Sequence, residues 1–416
     1  MTAPLAVPGT PVAPLTPPRA TAGGWRERWR VRWCDWRNRR VADPAFQRRA
    51  AVAWFTRPVV RRQAGELFDL MAGFVYTQVL LSCVRLRLFD LLAHGPLPLA
   101  RIAAATGLDT AMAQRLCAAA AALELLDLRA DRADRADGAD GADGADGAYA
   151  LGRLGAPLVG NAALHAMIEH HATLYADLAD PLALLRGTSQ PAMAGYWPYA
   201  AVDAPPAAHQ ALTPDRVAEY SRLMSASLPL VAQEVLGAYR FQPHRCLLDV
   251  GGGEGRFITA VAAQAPALQF MLFDLPAVAS RAQGALAAAG LGGRVQVHGG
   301  DFFQDELPRG ADIVSLIRVA FDHPDERVLR LLRAARRALP EDGSLLLAEP
   351  MAGVAGAEAM GDAYFGFYLL AMGHGRPRTA AELTALLEAA GFGAVQQLRL
   401  NLPLQTGLLV ARCRPA

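Results

Sequence analysis

The stretch Leu247 to Phe257 reads LLDVGGGEGRF, and it decides the fold of this chain. An apolar run leads directly into glycines, and the residues that follow are suited to begin a helix. This is the pattern of a strand-to-helix turn in an α/β sheet. Glycine at positions 251, 253 and 255 lets backbone N–H groups approach a ligand closely, at the positive end of the helix. The stretch therefore predicts an α/β domain that binds a cofactor at this turn.

The residues around the glycines distinguish between two cofactors. A dinucleotide loop would place its third glycine at position 256, which is Arg256. Asp249 precedes the glycines, where its carboxylate can hold the cationic methionine end of S-adenosylmethionine (SAM) through water. Asp274 ends the next apolar run, QFMLFD, where it can accept hydrogen bonds from both ribose hydroxyls. The two acids predict SAM rather than NAD; a tight left-handed corner without a ligand is the alternative.

The composition excludes several classes of protein. The 416 residues suffice for two domains and a tail, and a net charge of +2 argues against nucleic-acid binding. Five scattered cysteines without a C-x-x-C motif argue for a reducing compartment and against a structural metal. No signal peptide is recognisable, and the uncharged apolar stretch 70–84 is too short to span a bilayer. We expect a cytoplasmic protein without a metal site.

Three regions follow one another along the chain. Residues 1–55 comprise a Pro-rich tail, expected to be disordered, and a basic helix. Residues 56–205 are helical, with a helix–turn–helix pattern around Gly107, and a low-complexity A-D-R/A-D-G loop at 131–147. The second of these helices is rich in alanine, so we expect a winged helix that does not read DNA. Residues 206–416 alternate strands with helices, which predicts a Rossmann-like domain with a parallel sheet and a closing hairpin.

The basic segment 25–50 carries an aromatic stripe. Trp25, Trp29, Trp33 and Trp36 recur at helical spacing, with arginines between them. This pattern predicts an amphipathic helix. Three partners are open: the body of the protein or a dimer partner, an anionic lipid surface, and nucleic acid as the weakest of the three.

Two further segments point to the adenine end of a cofactor. In VHGGDFF, Asp301 follows the third strand of the domain and can accept from the exocyclic amine, while Phe302 can pack on the ring. Asp301 as a simple turn or cap residue is the alternative. Arg318 follows the fourth strand, beside the expected adenine site.

From about residue 60 to its end the chain resembles the plant and bacterial small-molecule O-methyltransferases, a family that includes the acetylserotonin and caffeate enzymes. The resemblance rests on GGGEG, FDLP, GDFF, the segment RVAFD and RTAAEL…GF. It implies an α/β SAM-binding domain, preceded by a winged-helix dimerisation domain, in a homodimer. The positions that match the family's SAM contacts are Gly251, Gly253, Asp274, Asp301, Phe302 and Arg318, with Met224 near the reactive methyl group.

Two residues of the expected acceptor-binding site differ from the family pattern. Phe321 stands where members usually have the basic histidine, and Pro377 stands where many have a glutamate. Glu349 matches the other acid. His323, two residues further on at a helix start, is the nearest substitute base, and His374 is the second candidate. A capping or surface role for His323 is equally open.

A narrower resemblance concerns the segment LFDLMAGFVYTQVL with its Arg/Trp-rich extension. It is similar to the carotenoid 1-hydroxy O-methyltransferases of purple phototrophic bacteria, which methylate hydroxyneurosporene and demethylspheroidene at a tertiary hydroxyl. The resemblance implies an apolar hydroxylated substrate, most simply an acyclic carotenoid, and peripheral contact with the inner or photosynthetic membrane through residues 25–50. The aromatic helix at residues 364–370 would line an apolar channel, or form ordinary core or dimer interface.

Other functions remain open at this point. A phenolic or polyketide hydroxyl is an alternative acceptor. A relative that keeps SAM but performs chemistry other than methyl transfer is a second alternative, because both departures fall on catalytic positions.

Overall fold

The computed structural model describes residues 25–129, 147–195, 214–402 and 406–415. The predicted disorder of residues 1–24 and nearly all of the low-complexity loop 131–147 lie outside this range. The chain divides into two compact units, Met1–Gln78 and Val79–Ala416.

The N-terminal unit is helical. It contains α1 (Trp25–Val41), α2 (Pro44–Val52) and most of α3 (Arg57–Arg85). Asp43 caps α2 by accepting from the backbone N–H of Ala45, and Pro44 occupies the first turn, where its missing N–H costs nothing. By length and composition the whole of α3 is long and apolar enough to cross a membrane, although its uncharged stretch 70–84 alone is shorter than a span. A single such helix is weak evidence of a span, because core helices of soluble proteins have the same properties.

The first part of the second unit is a winged helix. Helices α4 (Leu88–Leu91), α5 (Leu99–Thr106) and α6 (Thr110–Ala122) pack with an antiparallel sheet ordered β1 (Leu97–Pro98), β3 (Ala148–Leu151), β2 (Leu126–Arg129). Gly107 ends α5 in the left-handed conformation, and Asp109 caps α6 by accepting from the N–H of Met112. The predicted helix–turn–helix and the strand after the wing are confirmed. Helices α7 (Ala162–Asp177) and α8 (Pro181–Leu185) follow.

The second part is a sheet of seven strands, entered through α9 (Pro214–Ala238). Its order is β11-β12-β8-β7-β4-β5-β6, and β12 alone runs against its neighbours. The strands are β4 (Cys246–Val250), β5 (Gln269–Asp274), β6 (Val295–Gly299), β7 (Ile313–Ile317), β8 (Ser344–Glu349), β11 (Phe392–Leu398) and β12 (Gly407–Cys413). The predicted parallel sheet and the closing hairpin, formed by β11 and β12, are confirmed. A short parallel pair, β9 (Met351–Ala352) and β10 (Arg378–Thr379), lies apart from the sheet.

Helices cover both faces of the sheet, which is why its central strands are continuous apolar runs. They are α10 (Arg256–Gln264), α11 (Pro276–Ala288), α12 (Asp325–Ala338) and α14 (Ala380–Ala389). A further helix, α13 (Gly366–Met372), lies between β9 and β10 in the chain. The strand order reverses between β4 and β7, and ligands of such sheets bind beyond the carboxyl ends at this point. The glycine loop follows β4 and Arg318 follows β7, so both lie at this crevice.

Candidate active site

The glycine loop after β4 is built so that backbone faces open space. Gly251, Gly253 and Gly255 all have positive φ, between +57° and +75°. A Cβ at position 251 would lie 2.8 Å from Cγ2 of Val319, so a side chain does not fit there. At position 253, no atom of the described chain lies within 4 Å of where a Cβ would project. The loop therefore brings the backbone of Gly253 next to room for a ligand.

Two buried carboxylates flank this loop. Asp249 is 1% exposed, and its Oδ1 accepts from Oγ of Ser315 at 2.6 Å. Within the described chain its Oδ2 has no hydrogen-bond partner. Burial, with a smaller contribution from Asp274, raises the pKa of Asp249 to about 7. Asp274 is fully buried and accepts from the N–H of Gly253 at 2.8 Å and of Leu275 at 2.7 Å. A buried carboxylate oxygen without a donor fits a cationic group such as the amino group of SAM.

The segment after β6 forms a tight turn. Oδ1 of Asp301 accepts from the N–H of Phe303 at 2.8 Å, and its Oδ2 accepts from the side-chain amide of Gln304 at 3.0 Å. This is the turn role that the sequence left open. Phe302 is buried, and its ring meets that of Phe303 edge to face, with centroids 4.6 Å apart. The adenine contacts of Asp301 and Phe302 stay a prediction.

Arg318 joins the carboxyl end of β7 to α9. Its guanidinium donates to Oγ of Ser227 at 2.9 Å and lies 3.3 Å from both the carbonyl oxygen and the sulfur of Met224. Its φ of +56° is a strained value for a residue with a side chain, and such strain is typical of functional sites. The structure thus brings Met224 and Arg318 together, as expected if both face the cofactor.

Glu349 holds the turn that follows Arg318. Its carboxylate accepts from three backbone N–H groups, those of Val319, Ala320 and Phe321, with the shortest distance 2.8 Å. Burial outweighs these hydrogen bonds and raises the pKa of Glu349 to about 7. The described geometry makes it an anchor for the backbone that presents Phe321.

His323 lies behind this turn. It is 2% exposed, its ring is 4.8 Å from the Phe303 ring, and its carbonyl oxygen accepts from buried Arg378 at 2.6 Å. Burial, aided by nearby arginines, lowers the pKa of His323 to about 3. His323 is therefore not a surface residue, and it does not cap α12, whose N-cap is Pro324; it is the C-cap residue of the 3₁₀ turn Ala320–Asp322. His374 is exposed. The roles of both histidines as bases stay predictions.

A pocket of roughly 530 Å³, including its open mouth, lies between α7, α9, the turn after β7 and the segment before α13. Phe321 and Phe365 meet edge to face there, with ring centres 6.1 Å apart. The lining residues are Met167, His170, His171, Met224, Ser227, Arg318, Phe321, Tyr364, Phe365 and Tyr368. Neither His323 nor Glu349 nor His374 is among them.

Two histidine–tyrosine pairs supply much of the polarity of this pocket. Nε2 of His171 lies 2.7 Å from the hydroxyl of Tyr364, and Nε2 of His170 lies 3.0 Å from that of Tyr368. Burial lowers the pKa of both histidines, that of His170 to about 4, so both rings are neutral at pH 7. Burial raises the pKa of Tyr364 well above its ordinary value.

Sequence reasoning missed these pairs, because the partners are far apart in the chain. The two tyrosines flank the junction between a π-helical segment, Ala359–Phe365, and α13. π-helical segments are rare and frequently lie at functional sites. Adjacent histidines on one predicted helix and tyrosines four residues apart on another were the only available signal.

Comparison with known proteins places these features in a family. Residues 175–393 match the family model of the O-methyltransferase domain, and residues 68–160 match that of the O-methyltransferase dimerisation domain. The chain is 44% identical to demethylspheroidene O-methyltransferase of Cereibacter sphaeroides, over 84% of this chain and 87% of that protein. It is 38% identical to the Rhodobacter capsulatus protein of the same name, over 85% and 83%. The crystal structure of human N-acetylserotonin methyltransferase in complex with SAM shares the fold, with a TM-score of 0.67 at 21% identity, over 85% of this chain and 98% of that one.

Proposed function

The chain belongs to the SAM-dependent O-methyltransferases that carry an N-terminal dimerisation domain, and we propose that it methylates the terminal tertiary hydroxyl, the 1-hydroxyl, of an acyclic carotenoid. The observation that carries the proposal is the 44% identity to a demethylspheroidene O-methyltransferase, which extends over 84% of the chain. SAM supplies an electrophilic methyl group on a sulfonium centre. The residues of the chain have to bind it, exclude water and aim an acceptor oxygen at it.

The pocket supports an apolar acceptor. Phe321 replaces the histidine that family members usually place here, and Met167 and Phe365 extend the apolar wall. An open mouth suits a substrate whose end enters the pocket while the rest stays outside. A soluble phenol would leave much of this wall without contact.

We assign the cofactor to the edge of the sheet between β4 and β7. Asp249 would hold the amino group, Gly251 and Gly253 would contact the methionine part through their backbone, and Asp274 would accept from the ribose. The remaining contacts of the proposal are Asp301 and Phe302 at the adenine and Met224 and Arg318 near the sulfur. The unpartnered Oδ2 of Asp249 and the open space beside Gly253 support it.

Mass spectrometry of the product tests the function. The enzyme is incubated with methyl-deuterated SAM and a hydroxylated acyclic carotenoid in lipid vesicles, with the corresponding carotenoid that lacks the hydroxyl as control. We expect a labelled methyl ether from the alcohol only, and S-adenosylhomocysteine in equal amount. Label on phenols but not on the carotenol would favour the phenolic alternative. Conversion without methyl transfer would favour the other alternative, in which SAM is retained for different chemistry; the chain is also 38% identical, over 43% of its length, to aclacinomycin 10-hydroxylase of Streptomyces purpurascens.

Helix α1 supports attachment to the membrane that holds such a substrate. Its tryptophans are exposed, Trp29 at 67%, and Trp33 stacks on Trp36 at 5.0 Å. Seven arginines against two acids give α1 a strongly positive charge, as in helices that lie on anionic lipid. We propose that the protein is cytoplasmic and binds the membrane surface peripherally. Replacing Trp29 and Trp33 by Ala should reduce flotation with anionic vesicles at least tenfold; unchanged flotation would leave α1 a purely structural element.

The dimerisation domain indicates a homodimer. Helix α3, which begins before this domain and continues into it, exposes an apolar stripe at helical spacing, with Leu67, Leu70, Met71 and Phe74 all more than half exposed. We propose that this stripe packs on the partner subunit. Leu70→Arg should then give a monomer in sedimentation experiments, whereas a dimer that persists would place the interface elsewhere.

A further inference from the structure

We propose that Tyr364 is a catalytic residue that takes the proton of the acceptor hydroxyl, and that His171 draws this proton onward through their hydrogen bond. The inference rests on the proposed function to the extent that the acceptor is a hydroxyl bound in this pocket. It assigns a path for the proton in a chain whose usual base position is Phe321.

The need for another acceptor follows from the pocket itself. The ring of Phe321 cannot accept a proton, and Glu349 is occupied by three backbone N–H groups. His323 is buried against Phe302 and Phe303 and is not part of the pocket wall. The histidine–tyrosine pairs, in contrast, line the pocket directly.

Of the two pairs, the one formed by Tyr364 is better placed. Its hydrogen bond is the shorter, 2.7 Å against 3.0 Å. Tyr364 is half-buried, whereas Tyr368 is buried. The Tyr364 ring lies 5.0 Å from Phe365, which in turn meets Phe321, and the positive charge of Arg318 acts on its hydroxyl. Tyr364 therefore lies on the side of the pocket that contains Arg318 and Met224, to which we assign the sulfur of the cofactor.

The proton transfer balances as follows. The acceptor oxygen forms its bond to the methyl carbon as the methyl–sulfur bond breaks, and the hydroxyl proton moves to the oxygen of Tyr364. Tyr364 passes its own proton to Nε2 of His171. The positive charge that began on the sulfonium ends on the imidazolium, which releases its proton to water because His171 is only half-buried.

The protonation states suit this sequence. The high pKa of Tyr364 keeps the phenol protonated, so it can donate to His171 and still accept with a lone pair. The lowered pKa of His171 leaves Nε2 free of a proton in the tautomer that carries hydrogen on Nδ1. The ionisable groups around this ring are His170, Tyr175 and Tyr364. Burial keeps His170 and Tyr364 uncharged at pH 7, so neither adds a charge beside His171.

The experiment compares single-residue variants in the full chain. Tyr364→Phe removes only the hydroxyl, and His171→Gln keeps a polar group that cannot take up a proton. Tyr239→Phe is the matched control, because the hydroxyl of Tyr239 lies 2.6 Å from Nε2 of His244 in a pair that is not part of the pocket. The measurements are kcat against pH, affinity for S-adenosylhomocysteine, and the imidazole nitrogen NMR shifts of His171.

We expect Tyr364→Phe to lower kcat about 100-fold or more, with S-adenosylhomocysteine affinity unchanged and the His171 shifts altered. In the wild type, kcat should fall below pH 6.5 as His171 becomes protonated, and this dependence should be absent in His171→Gln. Tyr239→Phe should retain kcat within about twofold. In the Tyr364→Phe background, Phe321→His should restore activity at least tenfold by returning a base to the usual position.

A kcat of Tyr364→Phe equal to that of Tyr239→Phe would overturn the inference. So would an unaltered pH profile in His171→Gln. If the wild type methylates a phenol and not the carotenol, the proposed substrate is wrong, and the Tyr364 and His171 variants are compared with the phenol as substrate. If it methylates no hydroxyl, both proposals fail.

Discussion

Replacing Asp249 by Asn should stabilise the empty protein and weaken SAM binding at the same time. The carboxylate is buried, receives one hydrogen bond from Ser315, and leaves Oδ2 without a partner in the described chain. Such an ion is destabilising until a cation joins it. Asn has nearly the same shape and carries no charge, so it removes this unfavourable contribution together with the attraction for the amino group of SAM.

The size of the effect follows from the pKa of Asp249, which is about 7 in the folded chain against 3.8 for an unperturbed Asp. A raised carboxyl pKa destabilises the folded state: the loss is absent below pH 3.8, grows as pH rises, and is complete above pH 7. At about 1.4 kcal/mol per pH unit, the part that accumulates between pH 5 and pH 7 is about 3 kcal/mol. The variant lacks this loss. Its loss of SAM affinity should be about 10- to 100-fold, as for a hydrogen bond to a charged group.

Urea unfolding of both proteins at pH 5 and pH 8 measures the first effect, and calorimetric titration with SAM measures the second. The free energy of unfolding of the variant relative to wild type should rise by about 3 kcal/mol between the two pH values. The matched control is Asp312→Asn, at the opposite end of the sheet, where the carboxylate accepts from the N–H groups of Arg245 and Cys246. The free energy of unfolding of Asp312→Asn should be lower by about 1 kcal/mol, and its SAM affinity should equal that of the wild type. A stability difference between Asp249→Asn and wild type that does not change with pH would refute the reasoning.

Substitutions at three further positions test other parts of the site. Gly253→Ala should cost about 1–2 kcal/mol from its φ alone, yet lower SAM affinity, because its methyl group would enter the open space reserved for the ligand. Gly255→Ala should destabilise the fold more, since its Cβ would lie 2.8 Å from Leu286; equal melting temperatures for the two variants would contradict this. Glu349→Ala should lower the free energy of unfolding by about 2–4 kcal/mol at pH 8 by freeing three backbone N–H groups, and Glu349→Gln by less; urea unfolding that ranks the two alike would argue against the anchoring role.

The arrangement of the glycine loop and its flanking acids could be predicted from sequence because its signals are local. A run of apolar residues, a turn of glycines and an acid at a strand end lie within a few positions of each other, and the sheet brings such strand ends to one edge. Gly251, Asp249 and Asp274 were placed in this way. The strained backbone of Arg318 was not, because φ depends on the packing of the whole turn.

The acceptor pocket could not be predicted in the same way because its residues are far apart in the sequence. His171 and Tyr364 are 193 residues apart, and neither segment reveals its partner. Proximity in sequence and proximity in space also differ within the site. His323 is close to Phe321 in sequence, but the 3₁₀ turn Ala320–Asp322, which contains Phe321, places Phe321 in the pocket wall and is followed by His323 in the interior.

The central claim is that the chain combines a complete SAM-binding site with an acceptor pocket suited to an apolar alcohol. The most direct test is the ratio of kcat/KM for a vesicle-borne acyclic carotenol to that for a soluble phenol, measured under the same conditions with labelled SAM. We expect a preference of about 100-fold or more for the carotenol, because only that substrate covers the apolar wall formed by Phe321, Met167 and Phe365. A ratio of about 1, or a preference for the phenol, would contradict the central claim.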